Sequence, residues 1–295
     1  MTKRLSNEVG TLYVVATPIG NLGDLGRRAA EVLASVDLIA AEDTRRTRAL
    51  LRHLGLDRPL LALHEHNEQA RVDSLVQRLR SGDTIALVSD AGTPLISDPG
   101  FPLVRACHGA GIRVVPVPGP SALIAALSVA GLPTDRFRFE GFLPRREAAR
   151  ASLLGDLAAA PETLVFYESS HRILETLAAL VAAFGGARPA TLARELTKLH
   201  ETLLTGTLEE IHAAVATDEH QRKGEFVLVV GGAPPREGDR FELSLANTLD
   251  VLLQELPLKR AVAVTARLSG ENRNRVYRLA LERQRAQQKD EGGTD

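Results

Sequence analysis

The stretch Ser89 to Gly100 reads S-D-A-G-T-P-L-I-S-D-P-G and follows the apolar run Thr84 to Val88. That run is short and contains β-branched residues, which is typical of a buried parallel strand. The small residues Ala91 to Thr93 then predict a turn at the carboxyl end of the strand, where open α/β sheets bind ligands and where small residues let a ligand approach the backbone. Ser97 to Gly100 predicts a helix cap with Pro99 in the first turn. A tight connection from strand to helix, without a ligand, is the alternative.

The composition is that of a soluble globular protein. The chain has 295 residues, 44% of them apolar and 25% charged, which is enough for two domains of ordinary size. Its net charge of −1 argues against a protein that coats nucleic acid by bulk charge, but it leaves room for a local basic face. The single cysteine, Cys107, excludes an internal disulfide and a cysteine-based zinc site. Because the sequence shows no signal peptide and no run of about 20 apolar residues, we expect a cytoplasmic protein.

Strand-like and helical patterns alternate along most of the chain. In residues 1–130, further apolar runs end in glycine, proline or polar residues, and they are Thr11–Ala16, Val36–Ala41, Leu60–Leu63 and Ile112–Val117. After a hinge-like segment from Gly131 to Pro133 the alternation restarts, with predicted strands at Phe137–Phe142, Glu162–Tyr167, Ala190–Arg194 and Phe226–Val230. We therefore predict two tandem α/β domains, residues 1–130 and 131–235, with a ligand cleft between them.

Several predicted strands end in titratable residues. The segment Glu42 to Arg46, E-D-T-R-R, either lines a cleft or begins a helix whose first turn favours acids. His64-Glu65-His66 has the spacing of a metal-ligand pair, but no third ligand is evident, so a polar cleft wall or a helix cap is favoured over a metal site. In the second half, Glu168 to Arg172 and Glu195 to Glu201 follow strands, and Ser170 is expected to cap a helix rather than to act as a nucleophile.

The C-terminal stretch has a different pattern. Gly231 to Asp239 is a linker by composition, and leucines at helical spacing follow from Leu249 to Leu256. From Lys259 to Arg285 there are eight basic and two acidic residues, so this segment is the local basic face that the net charge hides. We predict a small helical unit at residues 240–287, of the helix-turn-helix type. A solvated helical tail or a dimerisation unit is the alternative.

Seven motifs stand in order along the chain and together carry a family resemblance. They read T-P-I-G-N-L-G-D, A-E-D-T-R, L-H-E-H-N-E, V-S-D-A-G-T-P-L-I-S-D-P-G, V-P-V-P-G-P-S-A, F-Y-E-S-S-H-R and R-E-L-T-K-L-H-E. From about Thr11 to Gly232 the chain resembles the tetrapyrrole methylase superfamily of S-adenosylmethionine-dependent methyltransferases. Within it, the chain is similar to the branch that methylates cytidine 2′-hydroxyls of small-subunit ribosomal RNA. Tetrapyrrole-modifying members commonly carry Gly-Asp-Pro where this chain has Gly92-Thr93-Pro94, which makes a tetrapyrrole substrate less expected.

The resemblance implies that S-adenosylmethionine binds in the cleft between the two α/β domains. The cofactor contacts that it implies are Pro18, Ala91, Gly92, Thr93, Ile96, Ser121, Ala122, Glu168 and Lys198. We interpret Glu168 and Glu195 as candidate bases, with Glu42 and Asp43 as second choices. Lys198 is a possible orienting cation, and no metal ion is expected. If the chain is helical after Leu196, Glu195 and Lys198 face the same cleft.

The activity implied is 2′-O-methylation of a cytidine ribose in 16S ribosomal RNA of the small subunit, by a homodimer. The residues expected to contact the RNA are Arg45, Arg46, His66, Arg145, Arg146, Arg172, Arg273 and Arg275. Loop or single-stranded RNA is the expected form of the substrate, because an unpaired cytidine exposes its base edge and its 2′-hydroxyl. Two alternatives remain: a methyltransferase that acts on a tetrapyrrole, such as a corrin or porphyrin precursor, and a non-catalytic RNA-binding factor of ribosome assembly.

Overall fold

The computed structural model describes residues 9–234 and 245–291, in two compact units that belong to Met1–Ala233 and Pro234–Asp295. The first unit contains two five-stranded sheets with helices, and the second is helical. The predicted class, two α/β layers in tandem followed by a helical unit, is confirmed. The domain boundaries at residues 130, 235 and 240 stay predictions, and part of the predicted linker lies outside the described residues.

The first sheet is entirely parallel. Its strands are β1 (Thr11–Val15), β2 (Leu38–Ala41), β3 (Leu60–Ala62), β4 (Ile85–Val88) and β5 (Arg113–Val117), in the order β3-β2-β4-β1-β5. The helices between them are α1 (Arg27–Ser35), α2 (Thr44–His53), α3 (Glu68–Arg80) and α4 (Phe101–Gly109). Every residue of β4 is buried, as its apolar run predicts, and β4 lies beside β1. The carboxyl ends of β1 and β4 are therefore neighbours at one edge of the sheet.

The second sheet is mixed. Its strands are β6 (Phe137–Phe142), β7 (Thr163–Ser169), β8 (Pro189–Arg194), β9 (Thr202–Thr207) and β10 (Glu225–Val230), in the order β6-β7-β10-β8-β9. β6 runs parallel to β7, and the other neighbours are antiparallel. The helices of this half are α5 (Ala122–Val129), α6 (Glu147–Leu157), α7 (Ile173–Phe184) and α8 (Leu208–Thr217). α5 follows the first sheet in sequence but packs on the second, since Leu123 and Leu127 share an apolar cluster with Val165 and Val227.

Three local predictions are wrong, and two elements are missed. Ser170 does not cap a helix, since α7 begins at Ile173 with Arg172 as its N-cap. β9 and α8 are not predicted from the sequence. β9 is an edge strand of partly exposed and exposed residues, and it lacks the apolar run of a buried strand. Ser97 does not cap a helix, since α4 begins at Phe101 with Gly100 as its N-cap. The chain after Leu196 forms turns rather than a helix, with left-handed φ values of 51° at Glu195 and 66° at Thr197.

The second unit consists of three helices, α9 (Leu245–Glu255), α10 (Leu258–Ser269) and α11 (Arg273–Glu291). They pack around a small apolar core formed by Leu249, Ala261, Val262, Val276 and Ala280. Its basic residues remain largely at the surface, and the exposed ones include Lys259, Arg260, Arg267, Arg273, Arg275 and Arg278. Among the helices described in residues 9–234 and 245–291, none has the length and apolar character needed to cross a membrane.

Candidate functional site

A cavity of about 410 Å³ lies in the first unit, between the carboxyl edge of the first sheet and one face of the second. Its volume is in the range of small-molecule binding sites. Eight of the nine predicted cofactor contacts line it, namely Ala91, Gly92, Thr93, Ile96, Ser121, Ala122, Glu168 and Lys198. Pro18 is outside the lining, and its neighbour Ile19 lines the cavity instead. Turns that are 29 residues apart in sequence, at Gly92 and Ser121, therefore share one wall.

The turn after β4 forms a wall of backbone and small side chains. Thr17 and Gly92 exchange two backbone hydrogen bonds, of 2.8 and 3.0 Å, so the loop after β1 holds this turn in place. Thr93 Oγ1 donates to the carbonyl oxygen of Pro120 at 3.0 Å. Gly92 has a left-handed φ of 81°, and a Cβ there would lie 3.3 Å from Ile19 Cγ2. The wall therefore fits a flat heterocycle, such as the adenosine of S-adenosylmethionine, because its small side chains let a ligand approach closely.

Three carboxyl groups line the cavity from the first half of the chain. Glu42 Oε2 accepts the backbone N–H of Asp90 at 3.0 Å, and Asp90 Oδ1 accepts the backbone N–H of Asp43 at 2.9 Å. The guanidinium of Arg46, which also lines the cavity, lies 3.5 Å from Asp90 Oδ2. This group of acids gives the cavity a negative field that favours a cationic ligand.

Asp98 is the third of these carboxyl groups, and its protonation differs from that of an ordinary aspartate. Its pKa is raised to about 6, mainly by burial and to a smaller extent by the charges of Glu42 and Asp90. A hydrogen bond with Ser89 acts in the opposite direction and lowers the pKa. From the sequence, Asp98 is expected only as part of a helix cap, with no role in the site. No sequence motif around Asp98 indicates this role, since the residues that act on it, Glu42, Ser89 and Asp90, come from earlier parts of the chain.

Glu168 lines the cavity, but its carboxylate is engaged by the start of α7. Its side chain is fully buried, and Oε1 accepts the backbone N–H of Ser169 at 2.8 Å. Oε2 accepts the hydroxyl of Thr176 at 2.6 Å and lies 3.5 Å from Arg172 Nη2. Both oxygens thus have donors within the protein, which is the arrangement of a residue that fixes the turn from β7 to α7.

Glu195 and Lys198 are brought together, although the segment that carries them is not helical. Lys198 Nζ donates to Glu195 Oε1 at 2.8 Å and to Glu225 Oε2 at 2.9 Å. Lys198 and Glu225 line the cavity, whereas Glu195 stands behind them and also accepts the backbone N–H of Glu225 at 2.9 Å. Burial raises the pKa of Glu195, but the hydrogen bonds from Lys198 and Glu225 outweigh it, so the pKa is below its ordinary value. Burial lowers the pKa of Lys198, but its hydrogen bonds to Glu195 and Glu225 place it above the ordinary value.

The residues predicted to contact RNA are dispersed. Arg46 lines the cavity, and Arg45 is a highly exposed neighbour paired with Asp43 at 2.6 Å. Arg172 donates to the carbonyl oxygen of Leu143 at 2.8 Å, so it is partly committed to the fold. His66, Arg145 and Arg146 are exposed outside the cavity lining, and Arg273 and Arg275 are exposed in the helical unit.

The H-x-H segment lies in the turn before α3. The backbone N–H of His64 donates to Asn67 Oδ1 at 2.9 Å, and Asn67 is the N-cap of the helix. The ring centroids of His64 and His66 are 6.1 Å apart. Within the part of the chain that the structure describes, no group of three His, Cys, Asp or Glu side chains is arranged to hold a metal ion.

Two aromatic residues of the cavity wall were not singled out from the sequence. Tyr167 is the second residue of the F-Y-E-S motif, and its hydroxyl oxygen accepts the backbone N–H of Leu123 at 3.1 Å. Phe142, at the end of β6, also lines the cavity. The motif itself was a usable signal for Tyr167, whereas Phe142 depends on an irregularity in strand pairing that the sequence does not reveal.

Comparison with known proteins gives matches along nearly the whole chain. The family model "Tetrapyrrole (Corrin/Porphyrin) Methylases" matches residues 11–212, and the model "RsmI C-terminal HTH domain" matches residues 242–284. Ribosomal RNA small subunit methyltransferase I of Xylella fastidiosa is 57% identical over 269 residues, which cover 91% of this chain and 98% of that protein. The protein of the same name from Escherichia coli O157:H7 is 54% identical, over 94% of this chain and 97% of its own length.

Solved structures with the same fold are more distant in sequence. The methyltransferase CobJ is 19% identical with a TM-score of 0.57, over 77% of this chain and 96% of CobJ. Uroporphyrin-III C-methyl transferase from Thermus thermophilus, solved in complex with S-adenyl homocysteine, is 18% identical with a TM-score of 0.53. That match covers 75% of this chain and 97% of the Thermus chain. At these identities the structures establish the shared fold.

Proposed function

The chain belongs to the tetrapyrrole (corrin/porphyrin) methylase family, and we propose that it is an S-adenosylmethionine-dependent methyltransferase of ribosomal RNA. Its substrate is the ribose 2′-hydroxyl of a cytidine in the 16S RNA of the small ribosomal subunit. The observation that carries this proposal is the cavity wall at Ala91 to Thr93, held by Thr17 and completed by Ser121 and Ala122, in a chain whose close relatives are named as ribosomal RNA methyltransferases.

The residues that line the cavity fit this cofactor. Ala91, Gly92 and Thr93 would hold the adenosine, and Ile96 would provide an apolar contact in the same cavity. The acids Glu42, Asp90 and Asp98 favour positive charge in the same cavity, and Lys198 provides a cation for a carboxylate. When bound, S-adenosylmethionine supplies an electrophilic methyl group on a cationic sulfonium. The protein's main contribution is to align the acceptor oxygen with that methyl group.

We assign the proton-accepting role to Asp98. The Asp98 carboxylate would accept the proton of the ribose 2′-hydroxyl, and the oxygen would take the methyl group as that group's bond to the sulfonium sulfur breaks and S-adenosylhomocysteine leaves. We choose Asp98 because it lines the cavity and, although it has a hydrogen bond with Ser89, its pKa is raised to about 6. Glu168, in contrast, has its two oxygens occupied by Ser169 and Thr176. A carboxyl group that titrates near neutral pH is a stronger base than an ordinary aspartate, and general-base assistance contributes about 10²- to 10⁴-fold.

Glu195 and Glu168 act as positioning residues in this account. Glu195 holds Lys198 at the cavity through the 2.8 Å contact, and Glu168 fixes the end of β7. This replaces the sequence-based interpretation of both as candidate bases, because the oxygens of Glu168 have protein donors and Glu195 is outside the cavity lining.

Basic residues in both units are available to bind the RNA. Arg46 stands at the cavity, and the exposed cations of the helical unit provide further contacts with phosphates. An unpaired cytidine can place its ribose in the cavity, whereas a stacked and paired one cannot. The protein acts in the cytoplasm, where ribosomal subunits are assembled, as a homodimer.

The proposal is tested by offering two kinds of acceptor. Labelled methyl groups from S-adenosylmethionine are supplied with either small ribosomal subunits or uroporphyrinogen III. We expect label in the RNA of the subunits and none in the tetrapyrrole. Label in the tetrapyrrole alone would instead support a corrin or porphyrin methyltransferase, and label in neither acceptor would support a non-catalytic RNA-binding factor.

A further inference from the structure

The end of β6 contains an irregularity that changes the direction of one aromatic side chain. β6 pairs with β7 through Phe139 and Val165, then shifts register, so that Phe142 pairs with Tyr167. Gly141 lies in the shift with a left-handed φ of 64°. In a regular strand, residues three apart point to opposite faces, but one inserted residue returns them to the same face. Phe139 and Phe142 accordingly both contact the Tyr167 ring, with centroids 4.8 and 5.7 Å away.

The two phenylalanines differ in exposure. Phe139 is partly buried against the apolar cluster below α5, whereas Phe142 lines the cavity and remains 53% exposed. A ring of this size usually becomes buried, because burying it stabilises a fold. The strand irregularity therefore places an accessible aromatic surface in the wall of the proposed active site. Such irregularities are common beside active sites, where they redirect a side chain.

The ring also lies near the proposed proton acceptor. A Cβ on Gly141 would be 3.1 Å from Ser97 Oγ, so the segment that carries Asp98 packs directly on the irregular part of β6. The charge of Asp98 acts on Tyr167, whose ring contacts Phe142. Phe142, Tyr167 and Asp98 thus form one continuous part of the cavity wall.

We propose that Phe142 is the surface on which the target nucleobase of the RNA stacks, so that the attached ribose is presented to Asp98. This inference rests on the proposed function. Unpaired RNA bases are commonly bound by stacking on aromatic side chains, and a stacked base restricts the position of its own ribose. The role is that of a positioning residue for the nucleoside, distinct from the small-residue wall that accommodates the cofactor.

The test compares Phe142→Ala with Phe142→Trp and with Phe101→Ala. Phe101 is a matched control, because it is 62% exposed in the first turn of α4 and outside the cavity lining. We expect Phe142→Ala to lower the affinity for RNA, or kcat/KM for RNA, by about 5- to 150-fold, which is the usual range for loss of one stacking contact between a base and an aromatic ring. Phe142→Trp should restore most of this loss, and Phe101→Ala should behave as wild type. Cofactor affinity, measured by calorimetry without RNA, should be unchanged in all three.

A second readout does not depend on turnover. The probe is an RNA oligonucleotide with the sequence around the methylated nucleotide, in which pyrrolocytidine replaces the target cytidine. Binding of the wild type and of Phe142→Trp should quench the fluorescence of this base, whereas binding of Phe142→Ala should not. Wild-type affinity and quenching in Phe142→Ala, an equal loss in Phe101→Ala, or a change from dimer to monomer in Phe142→Ala would overturn the inference. Absence of methyl transfer by the wild-type protein would instead overturn the proposed function.

Discussion

The hydroxyl oxygen of Tyr167 accepts the backbone N–H of Leu123 at 3.1 Å, and this bond links the second sheet to the first turn of α5. The first N–H groups of a helix have no partner within the helix, so a side chain that satisfies one of them fixes the position of the helix. α5 begins directly after Ser121, which lines the cavity. The bond therefore holds a cavity-lining turn of the first half against a strand of the second.

Replacing Tyr167 by Phe should lower the free energy of unfolding by about 1–2 kcal/mol, because the N–H of buried Leu123 would lose its partner. Denaturant titration of the full chain measures this change. Tyr277→Phe, at a residue that is 40% exposed, is the matched control and should have no such effect. Equal stabilities for Tyr167→Phe and wild type would show that the bond does not hold α5.

Replacing Gly92 by Val should abolish cofactor binding while leaving most of the fold intact. A β-branched side chain would be strained at φ 81° and would occupy space beside Ile19 in the cavity wall. Gly111→Val is the control for strain alone, because Gly111 has a φ of 67° with open space around it, in a turn outside the cavity lining. Calorimetry should show loss of affinity for S-adenosylmethionine only in Gly92→Val. Unchanged affinity there would remove this turn from the cofactor site.

Replacing Asp98 by Asn should have opposite effects on activity and stability. The raised pKa means that folding disfavours the ionised form, so the wild type loses stability as the pH rises from about 4 to about 6. Asp98→Asn should therefore be more stable than wild type at pH 8, by about 1 kcal/mol after solvent screening, and should lose this advantage near pH 4. Its single-turnover rate should fall by about 10²- to 10⁴-fold.

The pH profile distinguishes a base from a structural residue at position 98. The wild-type single-turnover rate should rise with pH up to about 6 and then level off, and this rise should be absent in Asp98→Asn. Asp83→Asn is the control, since Asp83 pairs with Arg78 outside the cavity lining. A wild-type rate in folded Asp98→Asn would exclude Asp98 as the proton acceptor.

Replacing Glu195 by Gln should have a smaller effect on the rate than Asp98→Asn, because Glu195 acts through Lys198. Its lowered pKa means that its contribution to stability is present above the pKa of the unfolded chain and is lost as the pH falls through the folded value. We expect Glu195→Gln to be slightly less stable than wild type at pH 7, by less than about 1 kcal/mol, with no difference at strongly acidic pH. If Glu195→Gln lowered the single-turnover rate as much as Asp98→Asn, Glu195 would again be a candidate for the proton acceptor.

The sequence predicts those parts of the fold and of the site that depend on neighbouring residues in the chain. The apolar run before Ser89 and the small residues after it indicate both β4 and the turn at Gly92, since strand length, burial and turn chemistry are all local. The family resemblance drawn from seven short motifs is confirmed by the family models that match residues 11–212 and 242–284 and by relatives that are more than half identical.

The sequence predicts poorly where the site depends on contacts between distant segments. Asp98 acquires its raised pKa mainly from burial and further from the charges of Glu42 and Asp90, and no local pattern of sequence brings these two residues near it. Phe142 reaches the cavity only because β6 shifts its register against β7. In the turn that carries Lys198, Glu195 and Thr197 have left-handed φ values although neither is glycine. Because such values are uncommon for residues other than glycine, the sequence does not indicate the turn.

The most direct measurement is the identity of the methylated nucleoside. Small ribosomal subunits are incubated with the protein and labelled S-adenosylmethionine, the RNA is digested to nucleosides, and the labelled product is identified by mass spectrometry. We expect 2′-O-methylcytidine from a single position of the 16S RNA. Label on a base, on the ribose of another nucleoside, or nowhere in the RNA would contradict it.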